Sequence, residues 1–511
     1  MKNFKFNAIT ALIIGVNVAV ANAADGNILN ITTQDAVNAN KTIEATNVRG
    51  PGHTAIGQQN QIYSIPAAEA EESQGSSSAI GNQNVVKGEQ ANAIGDGNDA
   101  YGHFTQSVGD DNKVYADHSL GYGAHNKVGA QRVIGTPEKD VVVDKNTSKA
   151  SVFGLNNVVL GKEVLALGNN NNVNGENSTA IGTQSTADGI NTLAIGTGAK
   201  AQVTNPAAAN SNKPANLIAI GTSAKSEAAE TVAIGESAKA SKQNANAFGS
   251  KAKAEGESSL AVGTGSVASG DSAVAIGNDS TVTGDSAVAI GASATSTGKW
   301  STALGDSANA EGKSSVALSK DSYAKDDNSV ALGSGTVTRS ATQENTATVN
   351  GITYSGFAGN TPVAVVSVGS DKTETYTPPD HSTPGRTVTI TPHTRQIINV
   401  GAGEISATST DAINGSQLYM VADQVGKNKT RIDNIRQRTS DVKVKAGDNI
   451  DVKEVYDDAN QVKTYTVSTT KDIKANSYTI NNSNIKIDQN GINAGNKKVI
   501  NVASGENDND A

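Results

Sequence analysis

The apolar residues of this chain recur on a fourteen-residue beat. The large residue at the centre of each unit, in most units followed by glycine, gives Ile220, Ile234, Phe248, Val262, Ile276, Ile290, Leu304, Leu318 and Leu332 without a break. The same phase occurs earlier at Ile80, Ile94 and Val108, and again at Phe153, Leu167, Ile181 and Ile195. Self-similarity at one period predicts a solenoid in which each unit is one turn of a stack. Around each centre large and small residues alternate, as in Val274-Ala275-Ile276 and Val288-Ala289-Ile290, which predicts a short strand. Small residues four and six positions later, such as Ala252 and Ala254 or Ala308 and Ala310, mark a second short strand. Glycines eight positions after the centre (Gly256, Gly270, Gly284, Gly298 and Gly312) are expected to supply a turn with positive φ. Each unit therefore reads strand, turn, strand, turn, which is one coil of an all-β solenoid.

A coil this short brings its two sheets close together and leaves little room between them. The expected phase puts Ala, Ser and Gly inside and the larger aliphatics outside on one face. Ile181, Ile195, Ile220, Ile234, Val262, Val274, Ile276, Val288, Ile290, Leu304 and Leu332 would then form ladders that pack against other copies of the chain. The competing phase turns the same aliphatics inward. A continuous exposed stripe of this kind calls for a partner, and oligomerisation supplies one. The beat is interrupted around 57–79, 136–150 and 201–216, where surface loops are expected.

After Leu332 the register stops. Asn350-Gly351 between β-branched runs predicts a hairpin, and a Pro-rich excursion follows it. From Leu418 a heptad can be counted through Leu418, Val421, Val425, Asn428, Ile432 and Ile435, which predicts a coiled-coil helix. Isoleucine at both core positions favours more than two strands, and a core Asn428 would fix register; in the alternative reading Asn428 simply faces solvent. Beyond the helix the pattern returns to short strands. Ile398-Asn399-Val400 recurs as Ile500-Asn501-Val502, and Asp411-Ala412 as Asp510-Ala511, so the chain is expected to stop inside a second connector as a C-terminally truncated piece.

Composition narrows the class. Aromatics are 4% with Trp300 the one tryptophan, and 52 of 511 residues are glycine, which argues against a conventional globular core. Apolar residues still make up 36% and charged residues 18%, so disorder is not expected either. The net charge of −9, without a basic block, disfavours a nucleic-acid partner. No cysteine is present, so there is neither a disulfide framework nor a thiolate site. Lys2 and Lys5, an apolar run from Ala8 to Val20 and the small residues Ala21-Asn22-Ala23 predict a secretory signal peptide over 1–23. That run is too short to span a membrane. The histidines His53, His103, His118, His125, His381 and His393 show no metal-ligand spacing, and no nucleophile elbow or phosphate loop is present. No catalytic residue, metal or cofactor is expected, and the chain is read as a non-enzyme.

The repeats "NSTAIGTQS" (177–185), "SAVAIGNDS" (272–280) and "NSVALGSGT" (328–336) resemble the head motif of trimeric autotransporter adhesins, the class of the Yersinia adhesin. "GFAGNTPVAVVSVGS" followed by "RQIINVGAGEISATSTDAINGSQLY" looks like the head insert and neck of that family. The resemblance covers most of residues 75–511. It implies a homotrimer with left-handed parallel β-roll heads, a neck where chains cross over, and a stalk mixing coiled coil with small β domains. The expected division is signal peptide 1–23, N-terminal segment and first coil 24–74, head 75–335, head insert 336–394, neck 395–417, coiled-coil stalk 418–440, small β stalk domain 441–495 and second neck 496–511. The resemblance further implies display at the outer membrane of a Gram-negative bacterium through a C-terminal anchor missing from this chain. It implies binding of collagen, fibronectin or other matrix proteins, host cells or other copies, and an anion held by Asn428 in the stalk. The rival readings are a passive structural stalk, with the same trimer and no ligand, and a β-solenoid enzyme, for which the fourteen-residue period is wrong.

Overall fold

The computed structural model describes residues 16–23, 26–33, 54–62, 77–129, 132–133, 141–142, 146–204, 215–378, 386–440, 442–460, 462–479, 481 and 484–507. The chain divides into two units, Met1–Gln396 and Ile397–Ala511. Of the leader expected over 1–23, residues 1–15 lie outside the described residues, and Val16–Ala23 pairs antiparallel with Gly26–Thr33. Among the described residues no helix is long and apolar enough to cross a membrane.

The first unit is a parallel β-solenoid. Equivalent residues of successive coils pair in register, Val262 with Ile276, Ile276 with Ile290 and Ile290 with Leu304 in the first sheet. Ala268, Val282, Ser296 and Ala310 do the same in the second. Ladder bonds such as Leu260 N to Ala273 O and Val267 N to Ser280 O, both 2.8 Å, lock each coil to the next. Inside lie small side chains: Ala233, Ala247, Ala261, Ala275 and Ala289 are fully buried while the aliphatics on either side of them face outward. The competing phase, aliphatics inward, is thereby excluded. The first coil expected within 24–74 is centred on Ile56, and one coil escapes the periodic reading, that centred on Tyr122. There the inward residue is Gly121, so the alanine that marks most centres is missing.

The turn chemistry differs from expectation. Gly256, Gly270, Gly284, Gly298 and Gly312 do not adopt positive φ; they are glycine because neighbouring coils approach too closely there. A Cβ on Gly256 would sit 2.0 Å from the carbonyl oxygen of Gly270. Left-handed φ belongs to the glycine after the centre, 137° at Gly277 and 139° at Gly291. It also belongs to one residue every seven along the coil: Asp279, Ser286, Ser293, Trp300, Ser307 and Ser314. Each coil thus has two left-handed corners, taken mostly by short polar side chains that tolerate this region.

The three interruptions leave from the same place in the coil, after the second strand: after Ile62, Val128 and Gln202. The first of them therefore begins later than position 57, because 54–62 is itself a coil. Across each interruption the stack continues, with Ile56 paired to Ile80, Tyr122 to Phe153 and Ile195 to Ile220.

At the C-terminal end of the solenoid, Asn350 and Gly351 take φ of 50° and 80° and close the hairpin Thr346–Val349 with Ile352–Ser355. The first sheet does not stop at Leu332: Val366–Ser367 adds one more parallel strand onto Val330–Ala331. A second hairpin, Glu374–Tyr376 with Val388–Ile390, folds against the last coils. There Tyr376 lies 5.0 Å from Tyr323 ring to ring and donates its hydroxyl to the Ser307 carbonyl. Arg395 binds Thr336 Oγ1 at 2.9 Å and the Val368 carbonyl at 2.6 Å. These groups satisfy a solenoid end that would otherwise present open strands.

In the second unit, the helix Gly415–Ser440 is capped by Asn414, whose Oδ1 accepts from Ser416 N at 3.2 Å and Gln417 N at 3.3 Å. Gln417 ties the preceding segment down, accepting from Gly403 N at 3.1 Å and donating to Gly403 O at 2.7 Å. Asn399 and Asn501, the central residues of the recurring Ile-Asn-Val, share left-handed φ of 62° and 59°. The hairpin Ile450–Asp457 with Val462–Thr469 and the three-stranded sheet of Ser477–Thr479, Ile485–Asp488 and Gly491–Ala494 follow the helix.

Candidate functional site

The candidate site is a face. Outward residues of the first sheet stack in two columns, one at each coil centre and one two residues before it. Ile181, Ile195, Ile220, Ile234, Val262, Val274, Ile276 and Val288 are half-buried, shielded only by the like side chains above and below. Ile290, Leu304 and Leu332 are 38%, 43% and 43% exposed. None of the eleven lies in the coil interior, which the alanines fill. In register at roughly 4.8 Å per coil, they form a continuous apolar strip that the chain does not cover by itself.

The helix repeats the situation. Leu418, Val421, Val425, Ile432 and Ile435 recur at spacings of three and four, and all are at least half exposed, from 51% at Ile432 to 63% at Val425. Asn428 lies on the same stripe, and within one chain its Oδ1 accepts from Gln424 Nε2 at 3.0 Å. One chain supplies one such amide, so a closed anion cage would need further copies.

Ionisable groups cluster on the outside of the second sheet near coils 94 and 108. Lys113 Nζ lies 2.9 Å from Asp111 and 3.4 Å from Asp99, and Tyr115 donates to Asp99 Oδ2 at 3.0 Å. Burial pushes the Asp99 carboxyl above its ordinary range, against the pull of Lys113 and Tyr115. Burial works against the Lys113 charge, but the Asp111 and Asp99 carboxylates outweigh it and hold the amine above its usual value. This is a network of mutual neutralisation with no free nucleophile. His103 lies 4.0 Å from Glu89, His125 Nδ1 lies 3.3 Å from Asp111, and His118 stacks on Phe104 at 4.9 Å. His53 and His381 lie outside the described residues. Among the described residues no group of three or more His, Cys, Asp or Glu could hold a metal ion.

Sequence reading missed a buried ladder. Asn60, Asn84, Asn98, Asn112, Asn126, Asn157 and Asn171 stack inside successive coils with little or no exposure, and up to Asn157 each amide binds the one before it. Asn171 continues the stack by donating its backbone N–H to Asn157 Oδ1 at 3.0 Å. Its signal was present as asparagine recurring every fourteen residues from Asn84 to Asn126.

Fold and face together define a β-solenoid protein carrying an amphipathic stalk helix. The family model of the YadA head domain repeat matches residues 161–185, 174–199, 187–205, 218–238, 240–266, 268–294, 296–318 and 320–336. The model of the coiled stalk of trimeric autotransporter adhesins matches 396–441. Over these residues the chain is similar to the heads and stalks of trimeric autotransporter adhesins. It is 30% identical over 174 residues to the autotransporter adhesin BtaE of Brucella suis biovar 1, a match covering 31% of this chain and 20% of that protein. The chain thus spans about a fifth of the length of that curated relative. Among solved structures, the C-terminal YadA-like domain of BPSL2063 from Burkholderia pseudomallei is 34% identical, covering 30% of this chain and 60% of that one, with a TM-score of 0.21. The collagen-binding domain of the Yersinia adhesin YadA is 25% identical, covering 44% and 98% of the two chains, with a TM-score of 0.23.

Proposed function

We propose that three copies of this chain pack their aliphatic faces together and act, without catalysis, as an adhesin exported by the leader and displayed at the outer membrane of a Gram-negative bacterium. The observation that carries this reading is the strip from Ile181 to Leu332, in register and left half-bare by the chain's own packing. The bare heptad stripe of the helix supports it independently. Attachment is to host matrix proteins such as collagen or fibronectin, to host cells, or to like copies in autoaggregation. A repetitive surface favours multivalent attachment, in which weak contacts sum through effective concentration. On the stalk axis, three copies of Asn428 would converge and could hold an anion.

Sedimentation of the full chain tests the assembly. Three chain masses are expected, and Ile276→Asp combined with Ile290→Asp should release folded or unfolding single chains. A wild-type protein that is folded and sediments as one chain overturns the assembly. Immobilised collagen and fibronectin test attachment: a trimer that holds neither these nor cells nor its own kind is the passive stalk.

A further inference from the structure

The outer face of the second sheet is set by one residue per coil, the first of each second strand. Through most of the solenoid this column is mixed, with Val158, Asn172 and Thr186 before and Val267, Thr281 and Thr295 after. Between them four consecutive coils all place lysine: Lys200 pairs directly with Lys225, Lys225 with Lys239, and Lys239 with Lys253. The ammonium-bearing strands are about 4.8 Å apart. Lys239 is half-buried and sits 3.6 Å from Glu227 and 3.8 Å from Glu255. Lys200, Lys225 and Lys253 are exposed, and among the described residues none of the three forms an ion pair.

Like charges directly opposed on neighbouring strands destabilise a sheet. A chain with 50 acidic residues against 41 basic ones has placed four lysines on top of one another, a cost that Glu227 and Glu255 offset at Lys239 alone. A ligand carrying one negative charge per step along the stack would offset it. We propose that the Lys200–Lys225–Lys239–Lys253 column binds a linear sulfated polysaccharide laid along the solenoid. The coil spacing suits a polymer with one anionic sugar per coil. Two residues beyond Lys200 and Lys239, Gln202 donates to Asp188 Oδ2 at 2.9 Å and Ser241 to Glu227 Oε2 at 3.4 Å, so recognition falls to the lysine ammonium groups. Nucleic acid fits less well, because the second strands of these coils carry no aromatic residue on which bases could stack.

The inference rests on the adhesin reading and names a ligand class for a face that the proposed assembly leaves outward. The test measures binding of the full chain to a size-defined heparin oligosaccharide, to neutral dextran and to a single-stranded oligonucleotide of matched charge. Heparin binding that weakens with salt is expected, with none to dextran and weaker binding to the oligonucleotide. Lys200→Gln, Lys225→Gln and Lys253→Gln together should weaken heparin binding roughly 100-fold, on the scale of basic residues facing an anionic surface. The melting temperature should stay level or rise, because mutual repulsion is removed. Lys443→Gln, Lys445→Gln and Lys453→Gln make the same change in net charge away from the column and should leave binding intact. Unaltered heparin binding in the column variant, equal loss in the control variant, or oligonucleotide binding as tight as heparin overturns the site. Chain mass and attachment to matrix proteins, measured on the same samples, separate its failure from failure of the adhesin reading.

Discussion

From Asn60 to Asn171 each coil of the solenoid buries an asparagine four residues after its centre, whereas from Ala199 onward the same position holds alanine, serine or threonine. The facing wall changes with it. Val86, Val114, Val128, Val159 and Val173 in the asparagine coils give way to Ala240, Ala254 and Ala268 in the alanine coils, with Ala100 and Val282 as exceptions. Asn98 shows what the ladder does. Its amide donates to the Gly109 carbonyl at 2.7 Å, the Ile94 carbonyl at 3.2 Å and Asn84 Oδ1 at 3.2 Å, while its Oδ1 accepts from Asn112 N at 3.1 Å and Nδ2 at 2.9 Å. In the alanine coils the glycine carbonyl instead accepts from the backbone three residues on, as in Ala238 N to Gly235 O and Ala252 N to Gly249 O, both 3.2 Å. That tight turn ends the first strand after three residues, as in Val232–Ile234. With asparagine taking the carbonyl, the strand runs on to five, as in Asn92–Asp96. The outer face keeps the same beat across both regions, so coil-to-coil stacking, and not the content of the interior, fixes the fourteen-residue period.

If stacking is the shared element, a change that blocks it should be severe in both regions alike. Gly109→Ala and Gly277→Ala each force a side chain into left-handed φ, 124° and 137°, with Cβ 1.9 Å from the Gly123 carbonyl oxygen and 2.2 Å from that of Gly291. Each is expected to destabilise by more than about 4 kcal/mol. Hydrogen exchange should show the loss centred on the altered coil, since each coil contacts only its neighbours. Tolerance of either change would break the claim of a common stacking constraint. A smaller effect should separate the regions. Asn112→Ala takes the side-chain donor from the Gly123 carbonyl and the Oδ1 acceptor from the Asn126 backbone N–H in the interior, at about 3 kcal/mol. Ala252→Ser should cost less than about 1 kcal/mol, because Ser266 and Ser280 already occupy this position and donate to the glycine carbonyl at 2.9 and 3.1 Å. Urea unfolding at one fixed protein concentration compares the two, since assembly would otherwise shift the midpoint.

What could be read from the sequence follows from which residues carry periodic signals. The aliphatic beat, the outward phase of Ile276 and Ile290, the Asn350-Gly351 hairpin and the helix from Leu418 all rest on large apolar or turn-specific residues whose meaning is nearly unique. Gly256 and its equivalents were legible as special but not as to why, because glycine serves both positive φ and close approach; only the 2.0 Å gap to Gly270 decides. Asn98 and Asn112 stand in "GDGNDA" and "GDDNKV", which read locally as surface turns, so their burial shows only when the column is followed from coil to coil. The Lys200 to Lys253 column was hidden the same way, each lysine being unremarkable within its own repeat. The outward apolar strip was therefore visible in the sequence, while the interior ladder and the charged column required the register.

The boundary between the regions offers the finest test. Ser185 ends the ladder: its backbone N–H binds Asn171 Oδ1 at 3.0 Å and its hydroxyl binds the same oxygen at 2.5 Å. Its own coil still has a five-residue first strand, Thr179–Thr183, and the next, Leu193–Ile195, is already short. Ser185→Asn should therefore be accepted within about 1 kcal/mol, its amide replacing the hydroxyl on Asn171. The new Oδ1 would face Ala199, whose backbone N–H is already given to Gly196 O at 3.3 Å. Ala199→Asn alone should cost more, because it finds serine below and alanine above. Together the two substitutions should recover about 1 kcal/mol relative to their sum, since each supplies the partner that the other lacks. Simple additivity in that double-mutant cycle would mean that the asparagines act one by one, and the distinction between a bonded and an unbonded interior would lose its energetic content.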